Sequence, residues 1–307
     1  MTIPSTVSGN ASTFTARSAP RSPRVSVVIP TLGGPSLAGT IDRLNAGTLV
    51  PAEILVCVPN GSAGKVASLI ASNVRIIETA QRGQVAQRIE GFKTAQYDYV
   101  LQIDDDVDVD PHCLQRLVDA VEASGGKASA AAALRHSGTD QSAYSRYRKS
   151  FAGKLYYFLL NGSRGYAPGT VTAAGTEIGL DPGSSSASHQ DVEWLPGGCV
   201  LHKRDNLVLT NYYPHSGKAY CEDLYHSRAL AKKRVGMWIA TDAIAWIEDS
   251  RSAPVPFRSW LKEFRDDYRA RRHYLNEISG SVARMHAYYA VRLLSHAGKA
   301  LFRKGSQ

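Results

Sequence analysis

The stretch Tyr99–Pro111, YVLQIDDDVDVDP, decides how the rest of the chain is read. It opens with five residues, Tyr99 to Ile103, whose length and apolar character are those of a strand covered on both faces, and it ends in a turn signal. Asp104, Asp105 and Asp106 follow at once, with Asp108 and Asp110 close behind. Carboxylates this crowded repel one another unless a cation neutralises them. Oxygen-only ligands at a strand end suit a hard divalent ion, Mg²⁺ or Mn²⁺, better than zinc. In open α/β sheets the ligand crevice lies just beyond such carboxyl ends. A solvated acidic turn is the plain alternative, and the strand placement weighs towards metal.

The flanking chain supplies the remaining strands and helices in short alternation. Arg24–Thr31, Glu53–Val58 and Val74–Glu78 are apolar runs of strand length, stopped by Pro30, by Pro59-Asn60-Gly61-Ser62 and by polar residues. Between them the spacing predicts helices over Ser36–Leu44, with Ser36 as the cap, over Lys65–Ser72, and over Gly83–Ala95. After Pro111 a helix carries Leu114, Leu117, Val118 and Val121 on one face and stops at Gly125-Gly126, before an alanine-rich strand over Ala128–Leu134. Strand, helix, strand, helix is the sequence form of an α/β fold with a doubly wound, mostly parallel central sheet flanked by helices. Tyr144, Tyr147, Phe151, Leu155 and Phe158 then recur at helical spacing, a packing face or an acceptor platform. Gly162–Gln190, rich in small polar residues, is expected to be a mobile loop over the site. Val192–Leu201 reads as a turn feeding a strand, Tyr220–Lys233 as a helix, and Met237–Ile247 as the last strand.

The 307 residues bear a net charge of +9, much of it after Phe257. There Tyr274, Ile278, Val282, Met285, Tyr289 and Leu293 form an apolar stripe broken by Gly280, with Arg258, Lys262, Arg265, Arg269, Arg271, Arg272, Arg284 and Arg292 around it. Such a C-terminal helical extension either packs on the body with a solvated basic face or rests on an anionic lipid surface. Nucleic acid is not expected as a partner, because no aromatic stacking surface accompanies the arginines. Cys57, Cys113, Cys199 and Cys221 show no CxxC pair and read as free thiols of a reducing compartment. No apolar run reaches the roughly 20 residues that cross a bilayer. A signal-peptide core is absent from the Ser-, Thr- and Pro-bearing stretch Met1–Pro23, read as a disordered lead-in. A cytoplasmic location follows, with peripheral contact at the inner face of the plasma membrane as an option.

Three marks stand in order: VSVVIPT at Val25–Thr31, the acidic triplet, and Gly197-Gly198-Cys199 followed by Cys221-Glu222-Asp223-Leu224. Together with the Gly83–Gly91 helix they resemble the family 2 glycosyltransferases over roughly residues 24–249. That resemblance implies a GT-A fold over residues 24–255, with a nucleotide-binding half at 24–135, an acceptor-binding half at 136–255 and the basic tail at 256–307. It implies inverting, metal-dependent transfer of one sugar from a nucleotide-diphospho-sugar to a glycan or lipid-linked acceptor, in a setting of bacterial surface polysaccharide or lipopolysaccharide assembly. By the same resemblance Asp106 holds the Mn²⁺ or Mg²⁺ ion with Asp104 beside it, and Pro30, Thr31, Asn60, Arg88, Asp104 and Asp105 belong to the nucleotide. Trp194, Gly197 and Gly198 form the loop around donor sugar and acceptor. Asp223 is the catalytic base, with Glu222 as the second choice.

The chain departs from that pattern in places. Pro59 stands where the family has an acid for the nucleotide base, and Ile89 where an asparagine follows the arginine. Ile247 occupies the place of a metal-binding histidine, leaving Glu248, Asp249 or water for that role. Two other functions fit the composition: a sugar nucleotidyltransferase, which lacks here its basic glycine-rich loop, and a catalytically silent scaffold at a membrane surface.

Overall fold

The computed structural model describes residues 22–69, 71–139, 141–144, 150–184, 186–215, 218–248 and 256–304. The lead-in through residue 21, Tyr147 and Asp249 lie outside them. The described strands are β1 (Val25–Pro30), β2 (Glu53–Pro59), β3 (Val74–Thr79), β4 (Tyr99–Ile103), β5 (Asp108–Val109), β6 (Ala128–His136), β7 (His189–Asp191), β8 (Cys199–Lys203) and β9 (Gly236–Ile247). They join one sheet in the order β3-β2-β1-β4-β8-β6-β9-β5, with β7 also on β9. β3, β2, β1 and β4 run parallel. β8 enters antiparallel between β4 and β6, and β6 and β9 are parallel again. The chain steps outward from β1 to β3 and then returns to the other side of β1 with β4. The carboxyl ends of β1 and β4 therefore flank the point where strand order reverses, which is where α/β sheets open a crevice.

Both faces are covered, as the near-continuous apolar strands require. On one face Val25, Val27 and Ile29 of β1 pack with Leu37, Ile41 and Leu44 of α1 (Leu37–Asn45) and with Leu117, Val118 and Val121 of α3 (Cys113–Ala123). On the other, Val28 and Val100 meet Phe92 of α2 (Gln84–Thr94). Val85 and Ile89 of α2 meet Leu224 and Tyr225 of α5 (Glu222–Lys232). α4 (Phe151–Asn161) lies along α7 (Val282–Lys304), and α6 (Phe257–Ile278) packs on both α5 and α7. The tail helices share the core: Tyr274, Leu275, Met285 and Tyr289 are buried. The four cysteines are free thiols.

Local readings fail where packing overrides them. Among the described residues of Lys65–Ser72 no helix forms; one tight turn over Ala63–Lys65 ends at its first residue, and Val66 is buried. Ser36 stands before α1 but makes no capping bond, because its backbone is already helical (φ −73°, ψ −22°) and its hydroxyl does not reach the free amides. α4 begins at Phe151, so Tyr144 is not part of it. The Gly162–Gln190 segment is pinned at its centre: Val171 bridges Glu177, and Thr172, Ala174, Thr176 and Ile178 are buried. Arg271 is buried and not on a solvated face, while Leu293 is exposed.

α2 rides close on the sheet at Gly91, where an added Cβ would strike Val28 and come within 2.8 Å of Cys57 Sγ. Gly91→Ala is therefore expected to destabilise the fold by about 1–3 kcal/mol, as overpacking does. Urea unfolding checks this; an unchanged midpoint would show that α2 can lift off the sheet without cost.

Candidate active site

The end of β4 is tied to its neighbours by side chains at the switch point. The Thr31 hydroxyl, just past β1, donates to Asp105 and accepts the Gly33 N–H at 2.9 Å. Asp105's own carbonyl accepts from Thr40 of α1 at 3.1 Å. Gln87, buried on α2, donates to the Thr31 carbonyl (2.8 Å) and the Cys57 carbonyl (2.6 Å), and so holds the ends of β1 and β2 together. Asp104 sends its backbone N–H to the Gly198 carbonyl (3.1 Å), while its Oδ1 accepts from Gln84 Nε2 (2.9 Å) and Arg88 Nη2 (3.3 Å). Burial pushes the Asp104 carboxyl up to about 6; Arg88 opposes the shift and Glu222 adds to it.

Arg88 joins the two acidic motifs. Fully buried on α2, it gives Nη1 to both oxygens of Glu222 (3.0 and 2.9 Å) and Nη2 to Asp104. Tyr212 sits 3.4 Å from Arg88 Nη1, and its hydroxyl also reaches Glu222 at 3.4 Å. Glu222 opens α5 immediately after Cys221, whose backbone is left-handed (φ 56°, ψ 22°). Its neighbour Asp223 lines the same cleft. Burial, with Glu222 beside it, lifts the Asp223 carboxyl well above the usual range, against the Gly197 N–H and Arg88. Only glycine fits at 197: a Cβ there would collide with the Asp223 carboxylate and lie 3.2 Å from Glu222 Oε1. Gln102 fixes the same loop by donating to the Gly197 carbonyl at 2.9 Å. Trp194 is buried, donates to the Ile178 carbonyl (3.2 Å) and meets Tyr144 edge-on with centroids 5.7 Å apart.

Two cavities meet at this place. One of about 810 Å³ is walled by Asp223, Trp194, Gly197, Gly198, Tyr144 and Glu248, with Tyr157, Asp267 and Arg271 contributed by the helical layer. The other, about 830 Å³, is walled by Pro30, Thr31, Asp105, Arg82 and Lys218. Gln84, Asp104, Asp106 and Ala219 belong to both. The acidic strand end is thus the partition between two compartments.

The donor set suits a hard cation. Asp106 is exposed at the junction, and its carboxyl is raised by burial and by the negative charge of Asp105 and Glu248. Such repulsion is what a bound cation relieves. Among the described residues no three His, Cys, Asp or Glu side chains converge as a cage. That matches an ion held by one or two carboxylates with substrate phosphates and water, as Mg²⁺ is held. Asp106 and Asp104 are the residues able to hold it, with Glu248 near.

Asn60 and Arg88, expected at the nucleotide, line neither cavity. Asn60 is exposed beyond β2, and Arg88 spends its donors on protein carboxylates. Glu222 and Asp223 both line the cleft, but Glu222 is engaged by Arg88. Sequence reasoning passed over Gln84, Gln87, Tyr212 and Lys218. Gln84 and Gln87, both in the first turn of α2 after Gly83, carried the only local signal.

The acidic strand end shared by two compartments at a switch point is the arrangement expected of a GT-A-type fold. Residues 26–176, just under half of the chain, match the model of glycosyl transferase family 2. Among solved structures the chain is similar to GalNAc-T7 with UDP, GalNAc and Mn²⁺ (TM-score 0.53, 15% identity, covering 76% of this chain and 45% of that one). It is also similar to S. aureus TarS 1-349 in complex with UDP-GlcNAc (TM-score 0.50, 12% identity, covering 86% and 69%). At such identities the likeness is one of fold, and the chain spans less than half of the GalNAc-T7 chain. A comparison with curated proteins finds no match. Among the described residues no helix is long and apolar enough to cross a membrane.

Removing one partner of a buried ion pair strands the other, at a cost of about 3–5 kcal/mol. Arg88→Met is expected to destabilise by that order, and adding Glu222→Gln should return much of the loss. Chemical denaturation of the two single variants and the double variant measures the coupling; strict additivity would remove Arg88 from this role.

Proposed function

We propose that the chain transfers one sugar, with inversion, from a nucleotide-diphospho-sugar to a glycan or lipid-linked acceptor, in bacterial surface-polysaccharide or lipopolysaccharide assembly at the cytoplasmic face of the membrane. The observation that carries the reading is the partition itself. Asp104 and Asp106 border both cavities, while Asp223 borders only one. The compartment with Pro30, Thr31, Arg82 and Lys218 takes the nucleotide diphosphate, its two cations facing the phosphates. The compartment with Trp194 and Asp223 takes the donor sugar and the acceptor. A divalent cation on Asp106 and Asp104 would supply stabilisation of the negative charge that builds on the departing diphosphate.

The chain's own groups supply the rest. Asp223, lifted above the ordinary carboxylate range, is a stronger base than a free aspartate and takes the proton of the attacking hydroxyl. Glu222 and Arg88 are positioning residues: they fix the start of α5 relative to the end of β4, and with it the separation of base and leaving group. Gly197 leaves the space that the Asp223 carboxylate occupies. The UDP-sugars and Mn²⁺ named with the two similar structures support a nucleotide-sugar donor and a divalent ion here.

A thermal-shift panel of nucleotide sugars with Mn²⁺ tests the donor assignment, since a ligand bound only by the native state raises the melting point. One or more donors should stabilise the native protein, and Asp106→Asn should remove the Mn²⁺-dependent part with the fold intact. A metal-independent shift that survives in Asp106→Asn would contradict it.

Asp223→Asn is expected to lower turnover by roughly two to four orders of magnitude while donor affinity is kept. In the native enzyme, activity should rise with pH through the raised carboxyl, because only the deprotonated form accepts a proton. That acidic limb should vanish in the variant. Loss of donor binding instead would assign Asp223 to holding the helix start.

A further inference from the structure

The helical layer ends in an apolar cluster that the catalytic reading does not use. On α4, Phe151 (83% exposed), Leu155, Phe158 (54%) and Leu159 recur at i, i+4, i+7 and i+8, which is one outward stripe. Arg284 near the start of α7 donates to the carbonyls of Phe158 and Leu159 at 2.6 and 2.8 Å, so the end of α4 meets the beginning of α7. Tyr156 of α4 feels Tyr288 and Arg292 of α7, so the two helices run antiparallel and the start of α4 is directed towards the later turns of α7, where Val291, Leu293 and Leu294 (74%) are exposed. α6 pairs with α7 in the same sense. Phe264 meets Tyr289 with centroids 5.1 Å apart, and Trp260 stacks on His296 at 3.8 Å. That brings Phe257 (63%) and Leu261 to the same end. Three helices thus gather their exposed apolar residues in one place.

The charge around that place is positive in surplus, although Glu263 and Asp266 of α6 stand among the cations and Asp266 pairs with Lys262. Residues 256–304 hold eleven Lys and Arg against four Asp and Glu, and Arg146, Arg148 and Lys149 directly precede α4 in the sequence. Lys154, Arg258, Lys262 and Arg265 are exposed beside the apolar residues. Contiguous exposed apolar surface marks an interaction site. An apolar face with a surplus of cations around it, and with Phe and Trp at its border, suits an anionic bilayer surface.

We propose that the end formed by the start of α4, the start of α6 and the later turns of α7 inserts into the surface of an anionic membrane, with Phe151, Leu294 and Phe257 as the inserting side chains. The same layer supplies Tyr157 of α4 and Asp267 and Arg271 of α6 to the wall of the Asp223 cavity. Docking by this face therefore presents that cavity to an acceptor whose lipid tail stays in the bilayer. The acceptor class rests on the proposed transfer reaction; the membrane contact does not.

Sedimentation of the full chain with vesicles of phosphatidylglycerol and phosphatidylcholine in equal parts, against phosphatidylcholine alone, tests it. The native protein should pellet with the anionic vesicles and at least tenfold less with the neutral ones. A Phe151→Ser, Leu294→Ser variant and an Arg258→Gln, Lys262→Gln variant should each lose at least tenfold in vesicle affinity. Melting temperature and the nucleotide-sugar thermal shift should be unchanged in both, since these residues lie outside the two cavities. Three results would overturn the proposal: native protein that stays in the supernatant, serine variants that pellet like the native chain, or a dimer in sedimentation velocity that the serine substitutions dissociate, which would give the face to a second copy.

Discussion

A single buried guanidinium holds the two halves of the site at a fixed spacing. Arg88 lies between Asp104 at the end of β4 and Glu222 at the start of α5, out of water and bonded to both. Burying a charge is costly unless partners surround it, and the attraction of a buried pair often does little more than offset desolvation. The pair is therefore poor evidence for stability and good evidence for geometry. If β4 and α5 drift apart, the cation is stranded; if they close up, carboxylates meet. Burial would lower the proton affinity of Arg88, yet Glu222, Tyr212 and Asp104 hold it well above the ordinary value, so its charge is fixed at any working pH. The loop from Trp194 to Gly198 is stitched to the same frame, through Gln102 and the Asp104 amide on one side and Asp223 on the other.

That frame leaves negative charge uncompensated. Arg88 faces Asp104, Glu222 and Asp223, and Asp106 feels Asp105 and Glu248 with no cation against them. Every resolved carboxyl shift at the junction is upward, which means that the cleft resists full ionisation. In the proposed reaction a divalent ion and a diphosphate would bring charge of both signs to these two places, a counterion to Asp106 and an anion to Arg82 and Lys218. The same repulsion leaves Asp223 a stronger base than an aspartate in water.

The parts of this arrangement that could be read from sequence are those whose cause is local. A five-residue apolar run followed by three carboxylates is a strand and its end wherever it sits, and the alternation around it is enough to order β1 through β4. Strand direction is not local: nothing in Cys199–Lys203 distinguishes the antiparallel β8 from a parallel strand, and only its place between β4 and β6 does. Lys65–Ser72 has helical spacing but is too short to be helical on propensity alone, so its packing decided. Arg88 was visible as a motif residue but not in its role, because Asp104 is 16 and Glu222 is 134 residues away. Arg271 read as solvated for the same reason: its partners Glu177 and Gly175 come from a loop nearly a hundred residues earlier.

Arg271 also bears on how the tail should be understood. It is bonded to Glu177 and to Asp267, and Asp267 in turn takes Tyr289, Arg292 and the Cys221 thiol. Cys221 is the residue before the Glu222–Asp223 pair. The start of α5 is therefore braced on two sides, by Arg88 from α2 and by Asp267 from α6. A basic helix that only floated beside the body would not spend its buried charges in this way. The inner faces of α6 and α7 brace the start of α5, and their outer faces carry the surplus positive charge, so one helical layer joins the shape of the cleft to the charge of the outer surface.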